Sequence, residues 1–176
     1  MTGVSAAVFD AAPYLLAALL VTAAAWDVSR YRIPNWLCLA LALAMVPVGL
    51  AHPWGIDWLS HLTAGGLLLA VGIALFMVGA LGAGDGKLLA AVGLWVGLGE
   101  LTTVGLYILL AGGGLALGLM VTRTLLLGLG TAVPAVGRLR WPNVLIARQP
   151  VPYGVAIATG TMLALNDLPL LDGQLI

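Results

Sequence analysis

Long apolar runs constrain this chain more than any other feature of its sequence. The stretches 13–26, 61–81 and 101–121 contain no Asp, Glu, Lys or Arg. A helix needs about 20 apolar residues to cross the hydrocarbon core of a bilayer. Because backbone polar groups in lipid must pair within their own segment, runs of this length and composition predict membrane-spanning helices.

The composition extends this prediction to the whole chain. Of its 176 residues 62% are hydrophobic and only 8% are charged, which leaves too few polar side chains to cover a soluble core. We predict an all-α, polytopic membrane protein with about six transmembrane helices in a single membrane-embedded domain, residues 1–176. The spans are expected at about 13–26, 35–50, 61–81, 87–99, 101–121 and 151–168. The fourth is short, so we expect it to start inside the membrane or to be buried among its neighbours.

The basic residues predict the orientation. In the six-span outline they all fall in connections on one side of the membrane, and they are Arg30, Arg32, Lys87, Arg123, Arg138, Arg140 and Arg148. Since Lys and Arg accumulate in cytoplasmic loops, this side should be cytoplasmic and both termini should lie outside the cytoplasm. The longest connection, 123–150, is expected to include a stretch that lies along the cytoplasmic interface.

Several kinds of binding site are not expected. The net charge is zero and the Arg residues form no dense patch, which argues against a nucleic-acid partner. Cys38 is the single cysteine, so neither an internal disulfide nor a cysteine zinc cluster can form, and we interpret it as a small apolar helix residue. His52 and His61 are predicted on the non-cytoplasmic side. No metal and no cofactor is therefore predicted.

Two of the acidic residues follow apolar runs at their cytoplasmic ends. Asp27 comes directly after such a run, and Asp85 lies shortly after another. A carboxylate at this depth is costly, which makes it a candidate functional group. Two carboxylates brought within a few ångström share a proton, so that one can act as general base on a water while the other polarises a carbonyl. Asp27 and Asp85 are therefore candidate catalytic residues for aspartic peptide hydrolysis.

Glycines surround the second aspartate. Gly82, Gly84 and Gly86 permit close helix approach and should let the end of the third span press against the first. Lys87 is interpreted as an interfacial anchor, since residues i and i+2 of a helix do not face each other. The structural alternative is a tight interhelical turn in which Asp85 neutralises Lys87.

Two further turns complete the candidate site. Pro34 favours an extended residue before it, and Asn35 is expected to help start the second span. A plain hairpin with topology-setting arginines is the alternative for this turn. Pro152 suits a helix start, and Tyr153 and Gly154 are expected to approach the aspartates from the last span. Alternatively, Tyr153 is only an aromatic residue of the membrane interface.

Three motifs in the chain resemble those of the type IV prepilin peptidases, membrane aspartic proteases of the Gly-x-Gly-Asp class. They are Asp27 with Ile33-Pro34-Asn35, then Gly82-Ala83-Gly84-Asp85-Gly86-Lys87-Leu88, and finally Val151-Pro152-Tyr153-Gly154-Val155-Ala156-Ile157-Ala158. The resemblance implies that Asp27 and Asp85 are the catalytic pair. It also implies removal of the short basic leader of prepilin-like precursors at the cytoplasmic face of the bacterial inner membrane.

The resemblance is to the short Tad/Flp-type members of that family. Larger members carry an amino-terminal domain with paired Cys-x-x-Cys motifs linked to methylation. This sequence has a single cysteine and no such motif, so a methyltransferase activity is not expected here. The expected partners are prepilin-like substrates, membrane lipid, and pilus or secretion machinery. On the residues alone a second class stays open, a small proton-coupled transporter or channel component with functional carboxylates. Such a protein should carry its acidic residues near the membrane midplane in discontinuous helices.

Overall fold

The fold is a bundle of helices. In the computed structural model, residues 3–132, Leu145 and residues 151–171 are described. These residues form six helices and no strand, which confirms the predicted all-α class. The helices are α1 Gly3–Arg30, α2 Asn35–Ala51, α3 Trp58–Met77, α4 Ala83–Val96, α5 Leu101–Ala132 and α6 Tyr153–Leu163. Two short 3-10 turns follow, Leu165–Asp167 and Pro169–Leu171.

Three of the helices are long and apolar enough to cross a membrane. These are α1, α3 and α5, with 28, 20 and 32 residues. At 1.5 Å per residue they measure about 42, 30 and 48 Å, against about 30 Å of hydrocarbon. The other three helices have 17, 14 and 11 residues. The shortest of these need neighbouring protein to surround their ends within a membrane.

Several helix boundaries differ from the sequence prediction. Helix α4 begins at Ala83 and not at residue 87, so the glycine-rich segment is its first turn and not a break before it. The predicted last span, 151–168, is divided between α6 and the 3-10 turns. Helix α5 continues through residues 123–132, the start of the predicted interfacial loop. Apart from Leu145, the rest of that loop lies outside the described residues.

The inner core is formed by α1, α2, α4 and α6, which pack on one another. Leu16, Leu41 and Trp95 are among its fully buried side chains. The indole N–H of Trp95 donates a 2.8 Å hydrogen bond to the Leu41 carbonyl. Lipid tails are as apolar as a leucine side chain, so close packing and interhelical hydrogen bonds of this kind hold a membrane bundle together.

Small residues bring α3 and α4 together. A Cβ added to Gly72 would stand 2.7 Å from the Cα of Gly86, and one added to Gly93 would stand 2.9 Å from the Ala64 carbonyl oxygen. Only glycine permits backbones to approach this closely. The contact at Gly86 fixes the position of the first turn of α4, which carries Asp85.

The outer helices leave a groove between them. Helix α3 packs on α4, whereas α5 packs on α6. The groove between α3 and α5 has a volume of about 440 Å³ and an apolar lining. The buried residues of α5 are Val104 and Leu119, so most of this long helix faces away from the bundle.

Candidate active site

Asp27 lies in the last turn of α1 and is 4% exposed. Its Oδ2 accepts a 2.7 Å hydrogen bond from the backbone N–H of Gly154, the second residue of α6. The first N–H groups of a helix have no partner within the helix and favour an anion. The start of α6 therefore binds the carboxylate that the end of α1 presents.

Asp85 lies in the first turn of α4 and is 8% exposed. This position is favourable for a carboxylate because the N-terminal end of a helix carries a partial positive charge. Its Oδ1 is buried and has no hydrogen-bond partner among the described residues. The first turn of α4 thus holds a carboxylate with one buried oxygen that is unpaired in the described structure.

Both aspartates line the same two cavities. The first, the basic cleft, has a volume of about 690 Å³, and its lining includes Arg30, Arg32 and Lys87. The second, the tyrosine cleft, has a volume of about 460 Å³, and its lining includes Tyr31 and Tyr153. The structure therefore brings together the two carboxylates that the sequence singled out.

Two glycines allow the backbone to approach these carboxylates. A Cβ on Gly154 would stand 2.8 Å from the Oδ2 of Asp27, and a Cβ on Gly82 would stand 2.8 Å from the Oδ2 of Asp85. Real Cβ atoms essentially never stand this close to another heavy atom. A Cβ on Gly154 would also meet the Cβ of Asp27 and the Cδ1 of Ile33, whereas one on Gly82 would meet only the end of the Asp85 side chain. Gly154 is therefore the position with no room for a side chain.

The other glycines of the predicted site have packing roles that the sequence did not specify. Gly84 faces the turn between α1 and α2, where an added Cβ would stand 3.2 Å from the backbone nitrogen of Ile33. Gly86 faces Gly72 of α3. We predicted that these glycines press the third span against the first, and the partners in that prediction are wrong. The glycines lie on α4 and pack against α3 and against the turn between α1 and α2.

Asn35 and Lys87 bind each other. The Nζ of Lys87 donates a 2.8 Å hydrogen bond to the Oδ1 of Asn35. Pro34 is the residue that precedes α2, in an extended conformation, and it makes no side-chain capping bond. Helix α2 begins at Asn35 as expected, and the side chain of Asn35 in addition links the starts of α2 and α4. Lys87 bonds to α2 and not to Asp85, although both line the basic cleft.

Tyr153 and Gly154 approach the aspartates from the start of α6, as expected. Pro152 precedes α6 directly and Tyr153 is the first residue of that helix. Tyr153 lines the tyrosine cleft and also the apolar groove between α3 and α5. Ala80 and Leu81 line both cavities too, so the groove adjoins the cleft that contains the carboxylates.

The sequence prediction missed Tyr31. This residue lines both clefts together with Asp27 and Asp85. It lies directly after the end of α1, four residues beyond Asp27, and its residue type gave no signal of a role in the site.

No metal centre accompanies the pair within the described ranges. There, no group of three or more His, Cys, Asp or Glu side chains is arranged to hold an ion. His52 and His61 line a separate cavity with Asp57. Cys38 is buried, with its Sγ 3.9 Å from the Gly84 carbonyl oxygen.

The fold and the site define a helical membrane protein with a buried pair of carboxylates in a common cleft. The family model for the type IV leader peptidases matches residues 14–121, more than half of the chain. The chain therefore belongs to the type IV leader peptidase family and is a leader peptidase-like protease. Asp27 and Asp85 fall within the matched segment, whereas α6 lies beyond it. No curated protein and no solved structure matched the chain.

Proposed function

We propose that this protease is an aspartic endopeptidase that removes the short leader of type IV prepilin-like precursors. The observation that carries the proposal is the meeting of Asp27 and Asp85, both buried, in the same two clefts of a leader peptidase-family chain. Paired carboxylates are sufficient for peptide hydrolysis without a metal or cofactor, because one can hold the proton that the other lacks.

The surroundings of the two carboxylates favour different roles. Asp27 accepts a hydrogen bond from the Gly154 N–H, which stabilises its ionised form and suits a general base. Asp85 has an oxygen with no partner among the described residues, which suits a protonated group that donates to a carbonyl. We therefore assign Asp27 to the attacking water and Asp85 to the carbonyl oxygen of the scissile bond.

The proposed reaction proceeds in two steps. Asp27 removes a proton from water as the water oxygen bonds to the carbonyl carbon, while Asp85 gives its proton to the carbonyl oxygen. The resulting tetrahedral diol collapses, and the bond from carbon to nitrogen breaks. Asp27 gives its proton to the leaving amine as Asp85 recovers one from the diol, so both carboxyls return to their starting states.

The groove beside the site supports this substrate class. An apolar helix seated between α3 and α5 would reach the carboxylates at the end where Ala80, Leu81 and Tyr153 line both cavities. A prepilin-like precursor has this form, with a leader followed by an apolar membrane segment. The basic side chains of the basic cleft would not attract a basic leader by charge. We therefore assign recognition of the precursor mainly to its apolar segment.

The proposed location is the cytoplasmic face of the bacterial inner membrane, with both termini on the other side. Arg30, Arg32 and Lys87 all border the cleft that contains the aspartates. Because basic residues accumulate on the cytoplasmic side, this cleft should open there. The leader of a newly made precursor is on that side before export.

Coexpression with precursors encoded near this gene tests the proposal. We expect the wild-type chain to shorten a precursor, and Asp27→Asn and Asp85→Asn each to abolish the shortening while remaining in the membrane fraction. Asp10→Asn is the matched control, because this exposed aspartate lies on the same helix as Asp27. Processing by either active-site variant at the wild-type rate would refute the pair.

A further inference from the structure

Tyr31 has an unusual backbone conformation. Its φ is +50°, in the left-handed region, and the other described residues with positive φ are Gly55, Gly79 and Gly97. A residue with a side chain pays a steric cost in this region that glycine avoids. The backbone N–H of Tyr31 donates to the Asp27 carbonyl at 2.8 Å, which ends α1. Glycine would serve this turn better, so the backbone gives no reason for a tyrosine here.

The hydroxyl of Tyr31 is also unsatisfied. It is buried and forms no hydrogen bond within the described part of the chain. A buried polar group without a partner lowers the stability of the folded state. Strained backbone angles and buried polar groups without a partner are concentrated at functional sites.

A second unsatisfied atom lies in the same site. The Oδ1 of Asp85 is buried without a partner among the described residues, and both residues line the basic cleft and the tyrosine cleft. The tyrosine supplies a hydrogen-bond donor and the aspartate supplies an oxygen for a proton. A peptide backbone offers neighbouring carbonyl oxygens that would satisfy both, one at the scissile bond and one beside it.

We propose that the Tyr31 hydroxyl binds the precursor by donating a hydrogen bond to a backbone carbonyl next to the scissile bond. This inference rests on the proposed function and adds a substrate-binding residue to it. The hydrogen bond holds the peptide in register with Asp27 and Asp85, and Tyr31 takes no part in proton transfer. Since the contact forms with the bound precursor and persists through the reaction, its loss weakens binding more than turnover.

Tyr31→Phe tests this role, with Tyr14→Phe as the control. Tyr14 lies on α1, the helix that Tyr31 directly follows, and is 76% exposed. Each purified protein is assayed in detergent with a synthetic precursor that contains the leader and the apolar segment. For Tyr31→Phe we expect KM to rise about tenfold with kcat within about twofold of wild type. Tyr14→Phe should leave both constants unchanged.

The melting temperature separates binding from a structural role. Phe removes a buried hydroxyl that has no partner, so Tyr31→Phe should melt at the wild-type temperature or higher. A lower melting temperature with an unchanged KM would show that the hydroxyl supports the fold, and would overturn the proposal. An unchanged KM at an unchanged melting temperature would overturn it as well.

The same assay distinguishes this inference from the proposed function. Wild-type protein should cut the precursor and Asp85→Asn should not. If wild type leaves the precursor intact, the proposed function and this inference both fail. If wild type and Tyr31→Phe cut it with equal KM while Asp85→Asn is inactive, only the role of Tyr31 is lost.

Discussion

Gly154→Ala tests how closely the start of α6 must approach Asp27. The added Cβ would stand 2.8 Å from the Oδ2 of Asp27 and 2.9 Å from the Cδ1 of Ile33. Ordinary contact begins at 3.4 Å, so Asp27 or α6 must shift by roughly 0.6 Å. That shift would lengthen the 2.7 Å hydrogen bond from Gly154 to beyond the usual range.

The expected loss of activity follows from this displacement. Catalytic groups need to be held within about 0.5 Å of their productive geometry, and a misplacement of about 1 Å can reduce the rate about 100-fold. We expect kcat/KM to fall roughly 10- to 100-fold, or about 1.4 to 2.7 kcal/mol of transition-state stabilisation. The effect on folding should be smaller. Crowding costs about 1 to 3 kcal/mol, but replacing glycine within a helix returns up to about 1 kcal/mol.

The assay compares Gly154→Ala with Gly118→Ala in cleavage of a precursor by purified protein. Gly118 is the matched control, because it is also a helical glycine and a Cβ there has nothing within 4 Å. Melting curves establish that both variants are folded at the assay temperature. If Gly154→Ala cleaves at the wild-type rate, then the close contact between α6 and Asp27 does not matter for catalysis, and the assignment of Asp27 as the hydrogen-bonded base fails.

Three further substitutions test other contacts. Gly72→Ala should lower the free energy of unfolding by about 1 to 3 kcal/mol, measured by thermal melting, because its Cβ would meet the backbone of α4 at 2.7 Å. Lys87→Met removes only an exposed hydrogen bond to Asn35, so cleavage should stay within about twofold of wild type. A large loss would instead support pairing of this lysine with the catalytic carboxylates. Gly105→Leu should fill the apolar groove and slow cleavage of a full precursor at least about tenfold. A short leader peptide should be cut normally by this variant, and Gly118→Leu should cut both substrates.

The apolar runs were sufficient to predict the helices but not where all of them begin. Helix α2 starts at Asn35 as expected, because Pro34 leaves a clear signal for a helix start. The start of α4 was missed because three glycines within six residues, 82–87, are typical of a turn. In the structure, contact with Gly72 of α3 stabilises that segment as a helix. This contact is between two different helices, so propensity alone could not reveal it.

The candidate site was predictable to the extent that its residues carry charge. Asp27 and Asp85 stand out because ionisable groups are rare beside apolar runs. Asn35 and Lys87 were selected from their motifs, yet their mutual hydrogen bond depends on how α2 and α4 pack. Tyr31 was missed because what distinguishes it is a backbone angle and an unsatisfied hydroxyl. Neither property can be read from a residue type.

The difference between the two aspartates follows from the helix ends that hold them. Asp27 lies at the C-terminal end of α1, where the helix dipole opposes a negative charge, and the Gly154 N–H at the start of α6 offsets this effect. Asp85 lies at the N-terminal end of α4, yet one of its oxygens has no partner in the described structure. Three helix ends therefore meet at one site and give two identical side chains different environments. If this asymmetry sets their roles, weakening the hydrogen bond from the Gly154 N–H should impair the function of Asp27 as the base more than that of Asp85 as the acid. Gly154→Ala should then reduce kcat more than it raises KM, the reverse of the pattern expected for Tyr31→Phe.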